Sequence, residues 1–214
     1  ILLIKEGDKV MAGTVLAKHS PSDAPHLILL PEIPLNEEAF LAKVKETVAA
    51  LKYCVVVVGD GLKKADGSEF SADKSRLDNF GHPVLSGAAD RLAEIVQGKL
   101  NTKTRTLKLG YAQRCAGHFG SATDLAEAVA CGESAVRAAV SGQSGYMVKL
   151  VRDGNNPYRW STALHDLKEI ANVEHLVPRD WISEDGFLPN DKFVEYARPL
   201  IEGEIKVPTE GGLP

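Results

Sequence analysis

The segment from His26 to Leu30 is a nearly continuous apolar run with Pro25 before it and Pro31 after it, a pattern that predicts a strand buried on both faces. Cys54 to Val58 repeats the pattern. Between the two, Phe40, Leu41, Val44, Val48 and Leu51 recur at helical spacing, Asn36 stands where a cap belongs, and Glu37 and Glu38 complement the positive end of the helix dipole. That helix should cover one face of a sheet. A second helix is predicted over Ser86 to Gly98 with Leu92, Ile95 and Val96 inward, followed by a strand over Thr104 to Leu109. Ser121-Ala122-Thr123-Asp124 matches a capping box, opening a helix that runs towards Ser141 with Gly142 and Gly145 at its stop. Tyr146 to Val151 reads as a further strand.

Strand and helix thus alternate, which predicts a layered α/β/α domain of three layers around a largely parallel sheet, spanning residues 24–151. In such a domain, ligands are expected at the carboxyl ends of the strands. Residues 1–23 form an atypical N-terminal segment, and residues 152–214 an extension packed on the domain, with helical patches around Leu164 to Ala171 and Asp191 to Ile201. The loop from Gly59 to Phe80 is rich in Gly, Asp, Lys and Ser and longer than an ordinary connection, which points to function or mobility.

With 214 residues, 44% hydrophobic and 25% charged, the chain is long enough to bury a real core, and disordered or collagen-like readings drop out. A net charge of -4 without a basic stripe argues against a nucleic-acid partner. Cys54, Cys115 and Cys131 form neither a C-x-x-C pair nor a disulfide framework; free thiols in a reducing, cytoplasmic setting are the expectation. The apolar runs are far shorter than the roughly 20 residues of a membrane-spanning helix, so no membrane partner is expected. The chain opens on Ile1 rather than methionine, as a piece of a longer protein would.

Two arginines carry the candidate chemistry. Arg105 lies near the start of the predicted strand, and Arg114 ends the Gly110-Tyr111-Ala112-Gln113-Arg114 loop that follows it. The planar guanidinium fork matches phosphate, each charge-assisted hydrogen bond contributing about 1.5–3 kcal/mol. Nine positions separate the two, and at about 3.3 Å per residue a strand would put them at opposite ends, so one could reach across a subunit boundary. Surface arginines paired with Asp124 or Glu127 are the other reading of the same residues. The six histidines show no metal-ligand spacing, and Glu32 alone makes no metal site, so no metal ligand is assigned within the chain.

Leu109-Gly110-Tyr111-Ala112-Gln113-Arg114, with the helix bearing Asp124 and Glu127 after it, resembles the phosphofructokinase family. Ala24-Pro25-His26-Leu27-Ile28, Leu30-Pro31-Glu32, Phe80-Gly81-His82, Pro178-Arg179-Asp180-Trp181-Ile182 and Tyr196-Ala197-Arg198-Pro199-Leu200-Ile201 look like its pyrophosphate-dependent branch, C-terminal portion. The resemblance implies a phosphofructokinase-like fold and transfer of a phosphoryl group from diphosphate to O1 of fructose 6-phosphate. It implies that Arg114 contacts the sugar's phosphate, and that Arg105 reaches the same ligand in a neighbouring subunit of a homo-oligomer. Tyr111 stands where relatives often carry histidine, and its phenol can donate to phosphate. Asp60 stands where relatives carry a glutamate that accepts from sugar hydroxyls; between Gly59 and Gly61 it also reads as a turn residue.

Phosphoryl transfer further needs a donor cradle, Mg²⁺ and a base. The family supplies them from a Gly-Gly-Asp turn and a Thr-Ile-Asp-Asn-Asp loop, and neither string occurs in this chain. No catalytic residue is therefore assigned here, magnesium is implied by the resemblance without ligands in the chain, and the N-terminal half or a partner subunit must bring the chemistry. A non-catalytic sugar-phosphate-binding or regulatory subunit is the alternative. Ile4 to Leu16 also looks like the strand-turn-strand of biotinyl or lipoyl domains, but no Met-Lys-Met follows it.

Overall fold

A computed structural model of the chain describes residues 2–4, 25–59, 61–77, 83–85, 87–111, 115, 117, 120–171, 173–206, 208, 210 and 211. It divides into two compact units, the first comprising Ile1–Leu109 with Val177–Asn190, the second Gly110–Leu176 with Asp191–Pro214.

The first unit is α/β. Its sheet has the order β2-β3-β1-β6, from β1 (Leu2–Ile4), β2 (Leu27–Leu29), β3 (Cys54–Val58) and β6 (Arg105–Thr106). The two apolar runs pair in parallel, Leu27 opposite Val56 and Leu29 opposite Val58, as expected of strands joined by a covering helix. β1 runs antiparallel to both its neighbours. Leu27, Cys54 and Val56 are fully buried, which is why an alternating pattern is missing from these strands. Between them, α1 (Glu37–Leu51) starts at Asn36, whose side chain accepts from the Ala39 N–H at 3.0 Å, and it buries Phe40 and Val44. α2 (Ala88–Leu100) buries Leu92 and Val96 in the same core.

The long loop after β3 is partly built. Leu62 and Phe70 are buried and joined by a Phe70 N–H to Leu62 carbonyl bond of 2.8 Å, with the Arg91 guanidinium over the Phe70 ring. β4 (Ala72–Leu77) and β5 (Pro83–Leu85) form a separate antiparallel pair. The segment Val177–Asn190 returns to this unit: the Val177 N–H donates to Glu32 at 3.0 Å and the Ile28 N–H to the Phe187 carbonyl at 2.7 Å. Arg179 holds the segment's own bend by donating to the carbonyls of Ile182, Ser183 and Glu184.

In the second unit, α3 (Ala122–Val140) lies on a hairpin of β7 (Tyr146–Asn155) and β8 (Tyr158–Asp166), followed after the returning segment by α4 (Asp191–Ala197). Three sequence expectations are corrected. Tyr146 to Val151 joins no parallel sheet; it is half of this antiparallel hairpin, because only two residues separate β7 from β8 and a parallel partner would need a far longer crossover. Leu164 to Asp166 belongs to β8 rather than to a helix, and only Leu167–Glu169 takes a 3-10 turn. The strand predicted over Thr104 to Leu109 shrinks to Arg105–Thr106, an exposed pair at the sheet edge, where alternation is not enforced by burial. Among the described residues no helix is long and apolar enough to cross a membrane.

Candidate functional site

Arg105 stands on β6, exposed, paired in register with Leu3 of β1. Its strand is tied to α2 through Asp90, which accepts from Thr106 Oγ1 at 2.7 Å and meets the Lys108 ammonium at 2.6 Å. Those hydrogen bonds, from Lys108 first and Thr106 second, hold the Asp90 carboxyl below its ordinary range. A carboxylate is thus already committed to the nearest lysine, and the exposed arginine two residues before Leu107 lies on a braced strand rather than a loose loop.

Tyr111 belongs to the second unit and is 75% exposed, directly after Gly110, whose φ of 54° is left-handed and suits glycine. Its carbonyl accepts from the Cys115 N–H at 3.1 Å. Arg114 and Asp60 lie outside the described residues. Of the two that are described, Arg105 belongs to the first unit and Tyr111 to the second, and both are exposed.

The carboxyl end of β2 borders a cleft of about 140 Å³ lined by Leu29, Ile33, Pro34, Leu62 and Phe187. Among the described residues its one charged lining residue is Asp185, an anion that does not suit a phosphate. The amino end of α3 offers no open N–H groups to an anion either: Ala122 and Thr123 donate to the carbonyls of Gly203 and Glu202, and Asp124 to Ser121 Oγ. Gly203 is required here, since its φ is 80° and a Cβ on it would come within 2.7 Å of the Ala122 Cβ. Glu32, a lone carboxylate at the end of β2, accepts the Val177 N–H and so has a structural tie. Among the described residues no three His, Cys, Asp or Glu side chains are grouped so that they could hold a metal ion.

A polar cluster in the second unit escaped sequence reading. Glu127, only 3% exposed, accepts a hydrogen bond from the Tyr158 hydroxyl, and Arg152 lies over the rings of Tyr158 and Tyr196 at 4.8 and 4.3 Å while donating to the Tyr196 carbonyl at 2.8 Å. Burial first, and the Glu127 carboxylate second, push the Tyr158 phenol above its ordinary value. The partner of Glu127 here is a phenol that no local spacing announces. The signal available in sequence was only a glutamate in an otherwise apolar stretch of helix.

No protein-family model matches the chain. Comparison with curated proteins finds 40% identity over 205 residues, 96% of this chain, to a pyrophosphate–fructose 6-phosphate 1-phosphotransferase of Halomonas elongata. Among solved structures, the pyrophosphate-dependent phosphofructokinase of Marinobacter aquaeolei matches 95% of this chain and 47% of its own, with a TM-score of 0.75 and 37% identity. That of Nitrosospira multiformis matches 88% and 43%, with a TM-score of 0.71 and 38% identity. The chain spans about half the length of the curated relatives it matches, 49% in the Halomonas case. With sequence and fold agreeing over nearly its whole length, the chain belongs to the phosphofructokinase family, on the side of its pyrophosphate-dependent members.

Proposed function

We propose that this chain is the fructose-6-phosphate-binding portion of a pyrophosphate-dependent 6-phosphofructokinase, acting in the cytoplasm in a reaction that moves a phosphoryl group from diphosphate to O1 of the sugar phosphate. The observation that carries the reading is the 40% identity, over 96% of the chain, to a protein named for that reaction. In it Arg114 binds the 6-phosphate in its own subunit, Tyr111 donates its phenol to the same group, and Asp60 accepts from sugar hydroxyls. Arg105 reaches the ligand of a neighbouring copy; its solvent-facing position on a braced edge strand supports that role. The donor cradle, the base and the magnesium ligands are assigned to the half of the family's chain that this sequence does not match.

Titration calorimetry with fructose 6-phosphate tests the site on the chain and its Arg114→Ala variant. Loss of one charge-assisted phosphate contact of about 1.5–3 kcal/mol weakens binding at least about tenfold. Equal affinities would remove Arg114 from the site.

A further inference from the structure

Arg114 stands seven positions before Ser121 in the sequence, so the stretch that carries it ends where α3 begins. That beginning is held by a distant part of the chain. Ser121 Oγ donates to the Leu200 carbonyl at 2.6 Å and Thr123 Oγ1 to the Glu202 carbonyl at 3.1 Å, each across 79 residues. The Ala122 and Thr123 N–H groups, which an ordinary helix start leaves to water, donate to the carbonyls of Gly203 and Glu202 at 3.2 Å. Gly120 packs against the same strap, since a Cβ on it would fall 2.6 Å from Ile205 Cδ1. The strap is anchored in turn: just before it Ala197 and Pro199 are buried, and Arg152 donates to the Tyr196 carbonyl at 2.8 Å with its guanidinium over the Tyr196 ring.

These ties matter because apolar packing does not place this end of the helix. The hydrophobic core cluster lies in the first unit, and the one buried side chain of α3 among the described residues is Glu127. Hydrogen bonds are directional, so four of them from one strap fix both the height and the rotation of the helix start. A guanidinium that grips a phosphate through two parallel bonds must in turn be held to within about 0.5 Å. We infer that residues 200–205 are a positioning strap for the sugar-phosphate site. Ser121, Thr123 and Gly203 set where the stretch bearing Arg114 ends, and they act on fructose 6-phosphate through Arg114 rather than by contact of their own. This rests on the reading of Arg114 as the residue that binds the 6-phosphate.

The test is titration calorimetry with fructose 6-phosphate on the whole chain in two backgrounds, the parent and Arg114→Ala. In the parent, Ser121→Ala/Thr123→Val removes both hydroxyl ties and is expected to weaken binding at least about fivefold. Gly203→Ala, whose Cβ would come within 2.7 Å of the Ala122 Cβ, should do the same by displacing the strap. Ser121→Thr/Thr123→Ser keeps both hydroxyls and should bind within about twofold of the parent. In the Arg114→Ala background the strap substitutions should change affinity by less than about twofold, because the group they position is gone. A merely structural role would weaken both backgrounds alike. Strap variants that bind as the parent does, a hydroxyl-keeping variant as weak as the hydroxyl-free one, or equal losses in the two backgrounds would overturn the inference. An Arg114→Ala chain that binds as tightly as the parent would instead overturn the site reading, and this inference with it, before any strap variant is compared.

Discussion

Replacing Tyr158 by phenylalanine keeps the ring under Arg152 and removes one hydroxyl, the donor to Glu127. With the carboxylate 3% exposed, water cannot readily take over the bond, so the substitution leaves a buried acceptor unmet. Such a group costs about 1–3 kcal/mol, towards the upper end when it is charged, so a loss of about 2 kcal/mol in the stability of the second unit is expected. Removing both partners as Glu127→Leu/Tyr158→Phe deletes the unmet acceptor and should restore about 1 kcal/mol or more of that loss. Trp160 lies on β8 two residues from Tyr158, and the chain has only one other tryptophan, so urea unfolding followed by fluorescence in a Trp181→Phe background reports on this unit. The same bond has a pH signature. Because folding raises the Tyr158 phenol above its ordinary 10.0, its contribution is fully present below that value and is lost as pH rises through the higher folded value. Stability should therefore fall above about pH 10 in the parent and fall less steeply in Tyr158→Phe. A double variant no more stable than Tyr158→Phe would refute the reasoning, since Glu127 would then not be the group left unsatisfied.

Two further outcomes follow from burial. Leu92 is fully buried in the core of the first unit, so Leu92→Ala should cost about 2–5 kcal/mol in urea unfolding followed through Trp181, whereas Val136→Ala, at a position 64% exposed, should change stability by no more than about 0.5 kcal/mol. Burial pushes the Cys54 thiol up to about 12, against a smaller opposing hydrogen bond with Thr47, so iodoacetamide at pH 8 should label Cys115 and Cys131 in the folded chain and reach Cys54 only after unfolding, as read by peptide mass spectrometry.

Much of the first unit was legible because its signals are local. The double-faced apolar runs of β2 and β3, the Asn36 cap and the 3.6-residue spacing of Phe40, Val44 and Val48 each specify their element with little help from the rest of the chain. The family was legible too, since Leu109 to Arg114 and the Pro178 to Ile182 string are contiguous. The hairpin was half legible: Tyr146 to Val151 reads as a strand, but its partner was read partly as helix, because neither β7 nor β8 has a fully buried face and exposed strands lose the alternation that marks them.

By itself, then, the sequence determined the α/β class, the capped helices, the order of the apolar strands and the chemical kinds present at Arg105, Tyr111, Arg114 and Asp60, all of which depend on neighbours within a few residues. Only the tertiary structure decided that Leu2–Ile4 enters the sheet between β3 and β6, that Val177–Asn190 returns to the first unit, that Glu127 meets Tyr158 across 31 residues, and that α3 turns its valines outward. These depend on which surfaces meet, and a helix's periodicity states how wide its apolar face is without stating what that face is turned towards.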